Sequence, residues 1–126
     1  MLRVLIVDDN AAVRGILYDL LAETFECVTA GSAEEALQRM EFECYEAIIT
    51  DIGLPGESGI ELLKRVRIQN LDTSVIFISG EESEEQTERL MSLGAFAFIK
   101  KPFDLAEVEE VIRRAITERS CVQAEN

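Results

Sequence analysis

The sequence predicts an α/β domain built on a five-stranded parallel sheet with helices covering both faces. Five short apolar runs alternate along the chain with five stretches that have helical periodicity. The apolar runs are hydrophobic at consecutive positions, which is typical of strands buried on both faces of a parallel sheet. With 126 residues, 48% of them hydrophobic, the chain is long enough for one such domain and too short for two ordinary ones.

Each predicted strand is a short apolar run. The five strands cover residues 2–7, 27–30, 47–50, 74–78 and 96–99. We expect the common strand order 2-1-3-4-5, in which the first and third strands are neighbours at the point where the winding reverses. The second strand then lies at an edge of the sheet.

A predicted helix follows each strand, and several of these helices carry terminal signals. The helices cover residues 11–24, a segment beginning at 32, and residues 59–66, 82–93 and 104 to about 119. Ser32 and Glu35 have the spacing of a capping box at the start of the second helix. Gly94 is placed to end the fourth helix, and Asp104 to cap the fifth.

Polar residues follow four of the five strands. Asp8 and Asp9 come directly after the first strand, and Asp51 comes after the third. Ser79 follows the fourth strand and Lys101 the fifth. Residues that follow parallel strands gather at one rim of the sheet, where ligands bind, so we expect these side chains to lie together.

The expected charges at this rim indicate a cation site next to a phosphoryl site. Three neighbouring carboxylates raise one another's pKa, and Lys101 compensates only one of their charges. A hard divalent cation would balance the rest, and ligands that are all oxygen favour Mg²⁺ or Mn²⁺. A phosphoryl group could then be held between the metal, Lys101 and Ser79, with a carboxylate as its acceptor.

The composition argues against several other functions. A net charge of −13 disfavours direct binding of nucleic acid by this domain. The chain has no histidine, which excludes Ser-His-Asp and Cys-His catalysis and imidazole metal sites. The apolar runs are far shorter than the about 20 residues of a membrane helix, and the first residues do not have a signal-peptide pattern. We therefore expect a cytoplasmic protein without a membrane partner.

Four motifs, in order and at the predicted strand ends, resemble the receiver domain of two-component response regulators, and of chemotaxis regulators in particular. The motifs are Asp8-Asp9, Asp51-x-x-x-Pro55-x-x-x-Gly59, Ser79-Gly80 and Gly94-Ala95-x-x-Phe98-x-x-Lys101-Pro102-Phe103. The resemblance covers residues 2–119 and implies a flavodoxin-like, doubly wound (βα)5 fold. Residues 1–119 would form the receiver domain, and 120–126 a polar tail or the start of a linker to an output domain.

The resemblance assigns roles to the rim residues. Asp51 would take a phosphoryl group from a phosphohistidine on a sensor histidine kinase or a histidine phosphotransfer protein. Asp9, Asp51 and the backbone carbonyl of Gly53 would bind Mg²⁺ directly, and Asp8 mainly through water. Lys101 would contact the phosphoryl oxygens and stabilise charge during transfer.

The resemblance also implies a conformational switch with a surface readout. Ser79 would hydrogen-bond the attached phosphoryl group, and Phe98 would turn inward behind it. This movement would change the surface of the fourth helix, fifth strand and fifth helix, which binds a downstream effector or an attached output domain. The resemblance also leaves a phosphorylation-dependent homodimer as an open alternative. The Lys101–Pro102 peptide bond is expected to be cis.

Two positions near the acceptor are expected to set the lifetime of the phosphoryl group. Gly53 has no side chain to shield the phosphorus, so we hypothesise that it leaves the acyl phosphate open to hydrolysis. Glu81, two residues after Ser79, could orient or repel the attacking water.

Two other functions compete with the phosphoacceptor. A metal-dependent phosphatase of the haloacid-dehalogenase type also forms an aspartyl phosphate, but that class has acids at i and i+2 after its first strand, where Asn10 and Ala11 follow here. The chain also lacks room for a substrate-enclosing cap. The other alternative is a receiver-like binding module that is never phosphorylated, which the intact acids and Lys101 argue against.

Simpler structural roles also remain open for individual residues. Asp8 or Asp9 could merely cap the first helix, because Asp is a favoured N-cap. Phe98 could be a core aromatic, and Ser79 could belong to an ordinary turn. Lys100 could point inward in place of Lys101, although the adjacent proline favours Lys101.

Overall fold

A parallel sheet with the strand order 2-1-3-4-5 forms the centre of the computed structural model. The structure describes residues 2–52, 59–69, 72–80, 84–101 and 103–125, with side chains described as far as residue 117. Within these residues, five strands and five helices alternate: β1 (Arg3–Val7), α1 (Ala11–Leu21), β2 (Glu26–Ala30), α2 (Ala33–Phe42), β3 (Ala47–Asp51), α3 (Gly59–Gln69), β4 (Ser74–Ser79), α4 (Glu84–Ser92), β5 (Ala97–Lys100) and α5 (Leu105–Glu125).

The strand order confirms the predicted doubly wound, flavodoxin-like architecture. β1 lies between β2 and β3, and β2 forms one edge of the sheet. Asp51 at the end of β3 is opposite Ile78 of β4, and Ser79 at the end of β4 is opposite Lys100 of β5. Because all the strands run parallel, their carboxyl ends lie along one rim.

The core consists of two apolar layers, one on each face of the sheet. Val4 and Ile6 of β1 belong to the layer formed with α1 and α5. Leu5 and Val7 belong to the layer formed with α2, α3 and α4. All four side chains are at most 1% exposed, so successive positions of β1 are buried on opposite faces. This two-sided burial explains why the strand is apolar at consecutive positions.

The predicted caps of α2 and α5 are present, with one difference. The Ser32 hydroxyl accepts a hydrogen bond from the Glu35 backbone N–H at 3.1 Å, and the Asp104 carboxylate accepts one from the Ala106 N–H at 2.8 Å. The Glu35 carboxylate, however, accepts from the N–H of Gly31 at 3.4 Å. The return bond of the predicted capping box would come from the N–H of Ser32, so this half of the motif is displaced by one residue.

Several helix ends differ from the predicted ones. α3 ends at Gln69, three residues beyond the predicted residue 66. α1 ends at Leu21, short of the predicted residue 24. The following residues form a turn in which the N–H groups of Thr24 and Phe25 both bond to the Leu21 carbonyl, at 3.1 and 2.8 Å. α5 continues to Glu125, beyond the predicted end near residue 119. The chain has no Gly or Pro in that stretch to end the helix. Whether residues 120–126 lead into a linker stays a prediction.

Gly94 ends α4 as predicted. Its φ of 110° lies in the region that only glycine adopts readily. The Gly94 N–H bonds to the Met91 carbonyl and the Ala95 N–H to the Leu90 carbonyl, each at 3.1 Å. These two bonds are the pair that defines a Schellman motif.

None of the helices in the described part of the chain combines the length and the hydrophobicity of a membrane span.

Gly59 brings the start of α3 against the end of β3. Its N–H bonds to the carbonyl of Ile52 at 3.0 Å. A Cβ atom at this position would lie 2.5 Å from the backbone oxygen of Asp51 and 3.1 Å from the Phe77 ring. A side chain at residue 59 would therefore push directly against the backbone that carries Asp51.

We expect Gly59→Ala to destabilise the domain by about 1–3 kcal/mol, because its methyl group must displace backbone in a packed region. Urea denaturation measures the loss. Gly15→Ala is the matched control, since a Cβ there meets nothing within 4 Å and alanine favours the helix. Equal stability of Gly59→Ala and the parent would contradict the close approach.

Candidate functional site

Three carboxylates meet at the rim between β1 and β3. Ligand oxygens of Asp8, Asp9 and Asp51 all lie within 4.8 Å of one another. Asp8 is only 2% exposed, Asp51 is half-buried and Asp9 faces solvent. The structure thus brings together the three acids that the sequence placed after the first and third strands.

Lys101 is the cation that lies against these acids. Its Nζ atom is 3.0 Å from Oδ2 of Asp51 and 3.7 Å from Oδ2 of Asp8. The Lys101 backbone N–H bonds to the carbonyl of Ser79 at 3.0 Å, which extends the pairing of β4 and β5 by one step. Lys100 is exposed, so the lysine at the site is Lys101.

The acidic turn is ordered by its own backbone and by α1. The Asn10 side chain caps α1 by accepting hydrogen bonds from the N–H groups of Ala12 and Val13. Asp8 accepts a bond from the Asn10 N–H at 2.9 Å through its Oδ1 atom. Asn10 therefore has the capping role that Asp8 or Asp9 could have had.

The electrostatics of the cluster favour a bound cation. Burial raises the pKa of Asp8, and the charges of Asp51 and Asp9 add to the increase. The hydrogen bond from Asn10 and the charge of Lys101 offset part of this effect. Burial alone would lower the pKa of Lys101, but its hydrogen bond to Asp51 and the charge of Asp8 raise that pKa overall. A lysine with a raised pKa thus shares the rim with a carboxylate, that of Asp8, whose pKa is also raised.

The donor set fits a hard divalent cation. It consists of carboxylate oxygens, which Mg²⁺ and Mn²⁺ prefer. Three carboxylates and one ammonium leave an excess negative charge that a divalent cation would balance. This cluster could therefore bind a metal ion.

Ser79 and Phe98 lie on the neighbouring strands β4 and β5, two positions apart in register, and have different surroundings. Ser79 is 7% exposed at the rim end of β4. Phe98 is opposite Phe77 and is half-buried against the core layer of α2, α3 and α4. In this structure, Phe98 therefore packs as a core aromatic does, and its part in a switch stays a prediction.

Four residues of the predicted site and its motifs lie outside the described residues. They are Gly53, Pro55, Glu81 and Pro102, so the structure does not describe the Gly53 carbonyl or the Lys101–Pro102 peptide bond.

Two residues near the site were not predicted. Asn10 has a recognisable signal, because Asn is a favoured N-cap and it immediately precedes α1. Arg14 donates a 2.6 Å hydrogen bond from Nη1 to the backbone carbonyl of Asp8. A contact between a side chain and a distant backbone oxygen has no sequence pattern, so Arg14 could be found only in the structure.

Asp8→Asn is expected to stabilise the metal-free domain at pH 7. A raised pKa means that the folded protein binds the Asp8 proton more tightly than the unfolded chain does. The ionised carboxylate therefore lowers the free energy of unfolding above that pKa, and this penalty disappears as the pH falls below the ordinary value of 3.8. We therefore expect a higher free energy of unfolding for the variant than for the parent at pH 7, measured by urea denaturation with a chelator present.

Asp19→Asn is the control for this variant, because it removes one exposed carboxylate from α1. It should leave the free energy of unfolding nearly unchanged. A stability gain of Asp8→Asn that persists undiminished at acid pH would contradict the electrostatic explanation.

Comparison with known proteins relates the chain to long regulatory proteins. It is 32% identical to the alkaline phosphatase synthesis transcriptional regulatory protein PhoP of Bacillus subtilis (strain 168), over 97% of this chain and 51% of that protein. It is 35% identical to the hydrogenase transcriptional regulatory protein HoxA of Bradyrhizobium diazoefficiens, over 90% of this chain and 24% of that protein. The chain thus spans about half or less of the length of these relatives.

A solved structure of similar size has the same fold. The CheY-like response regulator receiver domain protein from Methanospirillum hungatei JF-1 aligns with a TM-score of 0.90 and 30% identity, over 95% of this chain and 97% of that one. The family model described as the response regulator receiver domain matches residues 4–113. Because this match covers most of the chain, the protein belongs to the family of response regulator receiver domains.

Proposed function

We propose that Asp51 accepts a phosphoryl group from a phosphohistidine on a sensor histidine kinase or a histidine phosphotransfer protein. The observation that carries this proposal is the 3.0 Å contact between Lys101 Nζ and Asp51 Oδ2, beside the carboxylates of Asp8 and Asp9. Family membership supports it, because receiver domains act as signalling switches. The chain itself would be a switch whose only reactions are its own phosphorylation and dephosphorylation.

In the transfer step, a carboxylate oxygen of Asp51 attacks the phosphorus. The new P–O bond forms as the P–N bond to the donor imidazole breaks, and the imidazole leaves with the bonding electron pair and takes a proton from solvent. Lys101 is close enough to Asp51 to contact the incoming phosphoryl oxygens and stabilise their charge. The product is an acyl phosphate on Asp51.

Asp8, Asp9 and Asp51 are the side chains that would hold the metal ion, together with the backbone carbonyl of Gly53. Asp9 and Asp51 would be direct ligands, and Asp8 would act mainly through water. Bound Mg²⁺, or Mn²⁺ in its place, supplies positive charge that neutralises the phosphoryl oxygens. The burial of Asp8 supports this arrangement, since Lys101 compensates only part of the negative charge around this carboxylate.

Phosphorylation would act on the rest of the domain through Ser79 and Phe98. A phosphoryl group adds about −1.5 to −2 charge, enough to bias a two-state element. Ser79 would donate a hydrogen bond to it, and Phe98 would move deeper behind Ser79. The surface formed by α4, β5 and α5 would then bind its target differently.

The proposed function also implies partners for the domain. The relatives named above are transcriptional regulators, and this chain matches only part of them. We propose that the domain controls an attached output domain or a separate effector, with a phosphorylation-dependent homodimer as one means of doing so. Its net charge of −13 opposes direct contact with nucleic acid. Its phosphohistidine donors would meet it in the cytoplasm.

Asp51→Asn should abolish phosphorylation, because an amide nitrogen or oxygen does not replace the carboxylate nucleophile. The test incubates parent and variant with Mg²⁺ and acetyl phosphate and follows the intact mass. We expect one phosphoryl group on the parent and none on the variant. Asp19→Asn, which removes an exposed carboxylate elsewhere, should be labelled like the parent.

The same samples separate the competing functions. Rapid turnover of free phosphodonor would support a phosphatase, and a parent that takes no label would support an unphosphorylated binding module. Labelling of Asp51→Asn at the parent's level would overturn the choice of acceptor. In the phosphorylated parent, the Phe98 ring resonances should shift, and Ser79→Ala should reduce that shift.

The lifetime of the acyl phosphate is expected to depend on Gly53 and Glu81. Gly53→Asn places a side chain beside the phosphorus and should slow its loss several-fold, as measured by the decay of the phosphorylated mass after the donor is removed. Glu81→Gln tests whether the carboxylate of Glu81 directs the attacking water. Unchanged decay in Gly53→Asn would count against the shielding hypothesis.

A further inference from the structure

Arg14 holds the peptide group that joins two acids of the site. Its Nη1 atom donates a hydrogen bond of 2.6 Å to the backbone oxygen of Asp8. That carbonyl belongs to the peptide linking Asp8 to Asp9. The Asp8 side chain is held separately by the N–H of Asn10. The orientation of the acidic turn is therefore restrained from the main chain as well as from the side chain.

Arg14 and Lys101 contact different atoms of the acidic turn and its neighbours. Lys101 contacts the carboxylate oxygens of Asp51 and Asp8, which a metal ion would also use. Arg14 instead contacts a backbone oxygen and leaves those carboxylates available. A guanidinium is always charged, so this hydrogen bond is charge-assisted at every ordinary pH.

Gly31 provides the space for the guanidinium. It follows β2, whose last residue, Ala30, accepts a hydrogen bond from the Asp8 N–H at 3.1 Å. A Cβ atom at Gly31 would lie 3.3 Å from Arg14 Nη1 and 3.8 Å from its Cζ. The first distance is tighter than an ordinary contact, so the guanidinium would have to move by a few tenths of an ångström.

From this geometry, we propose that Arg14 is a positioning residue for the divalent-cation site and that Gly31 keeps it in place. By fixing the Asp8–Asp9 peptide, Arg14 would orient both acids without being a ligand itself. Outer groups that orient metal ligands typically contribute about 10-fold to 100-fold in metal affinity. This inference rests on the proposed function of the site.

The test compares the parent with Arg14→Gln and Gly31→Ala, each as the whole chain. Gly31→Ala keeps every charge and displaces only the guanidinium, so it separates positioning from a loss of positive charge. Calorimetric titration with Mg²⁺ should give about tenfold weaker binding for Arg14→Gln and a smaller loss for Gly31→Ala. The amide resonance of Asp9 should shift in both variants before Mg²⁺ is added.

Phosphorylation kinetics provide a second measurement. The Mg²⁺ concentration that gives half the maximal rate with acetyl phosphate should rise by the same factor as the dissociation constant. The rate at saturating Mg²⁺ should change by less than about twofold, since no ligand or nucleophile has been removed. A general loss of structure would lower the maximal rate instead, and that result would overturn the inference.

Two further variants complete the test. Gly15→Ala is the control, because it adds a methyl group to α1 where nothing lies within 4 Å, and its Mg²⁺ affinity should equal the parent's. Arg14→Gln combined with Gly31→Ala should bind Mg²⁺ no more weakly than Arg14→Gln alone, because Gly31 acts through Arg14. Full additivity, or parental affinity in Arg14→Gln, would overturn the inference.

The two proposals fail in different ways. A parent that binds no Mg²⁺ and takes up no phosphoryl group overturns both the proposed function and the role of Arg14. If the parent binds Mg²⁺ and takes up the phosphoryl group, and Arg14→Gln binds Mg²⁺ as tightly as the parent, only the role of Arg14 is overturned.

Discussion

Repulsion among three carboxylates is the constraint on which the rest of this site depends. Parallel pairing of β1 with β3 brings Asp8, Asp9 and Asp51 to one point of the rim, and the burial of Asp8 limits the solvation of its charge. Lys101 relieves part of the repulsion through Asp51 and Asp8. Negative charge remains in excess, so the cluster could bind a divalent cation.

The surrounding fold keeps these acids together despite their repulsion. Two apolar layers bury the sheet from both faces, so the strand ends cannot separate without exposing the core. Gly59 lets α3 pack directly against the backbone of Asp51. Asn10 and Arg14 form hydrogen bonds that order the turn after β1, which carries Asp8 and Asp9. The stability of hydrophobic packing thus maintains an electrostatically unfavourable arrangement, which is common at functional sites.

The same arrangement links local chemistry to a distant surface. Ser79 and Lys101 are joined by a backbone hydrogen bond where β4 and β5 end, and Phe98 lies on β5 three residues before Lys101. Under the proposed function, a change of charge at the rim would act on strands whose other residues belong to the core layers of α4 and α5. Receiver domains are signalling switches, and in this chain the short path between rim and surface provides a physical basis for that role.

The sequence alone determined the alternation of strands and helices, the strand order, and the acids and lysine expected at the rim. The alternation follows from hydrophobic periodicity, which is a local property, whereas the strand order was expected because it is the common one for such sheets and because of the family resemblance. The packed structure was needed to establish that Lys101, which the adjacent proline favours, lies against the acids, and that Phe98 is half-buried against a core layer. It also revealed that the Arg14 guanidinium, which lies beside Gly31 at another strand end, contacts the backbone oxygen of Asp8. No local pattern records which backbone atoms meet once separate strands and helices have packed together.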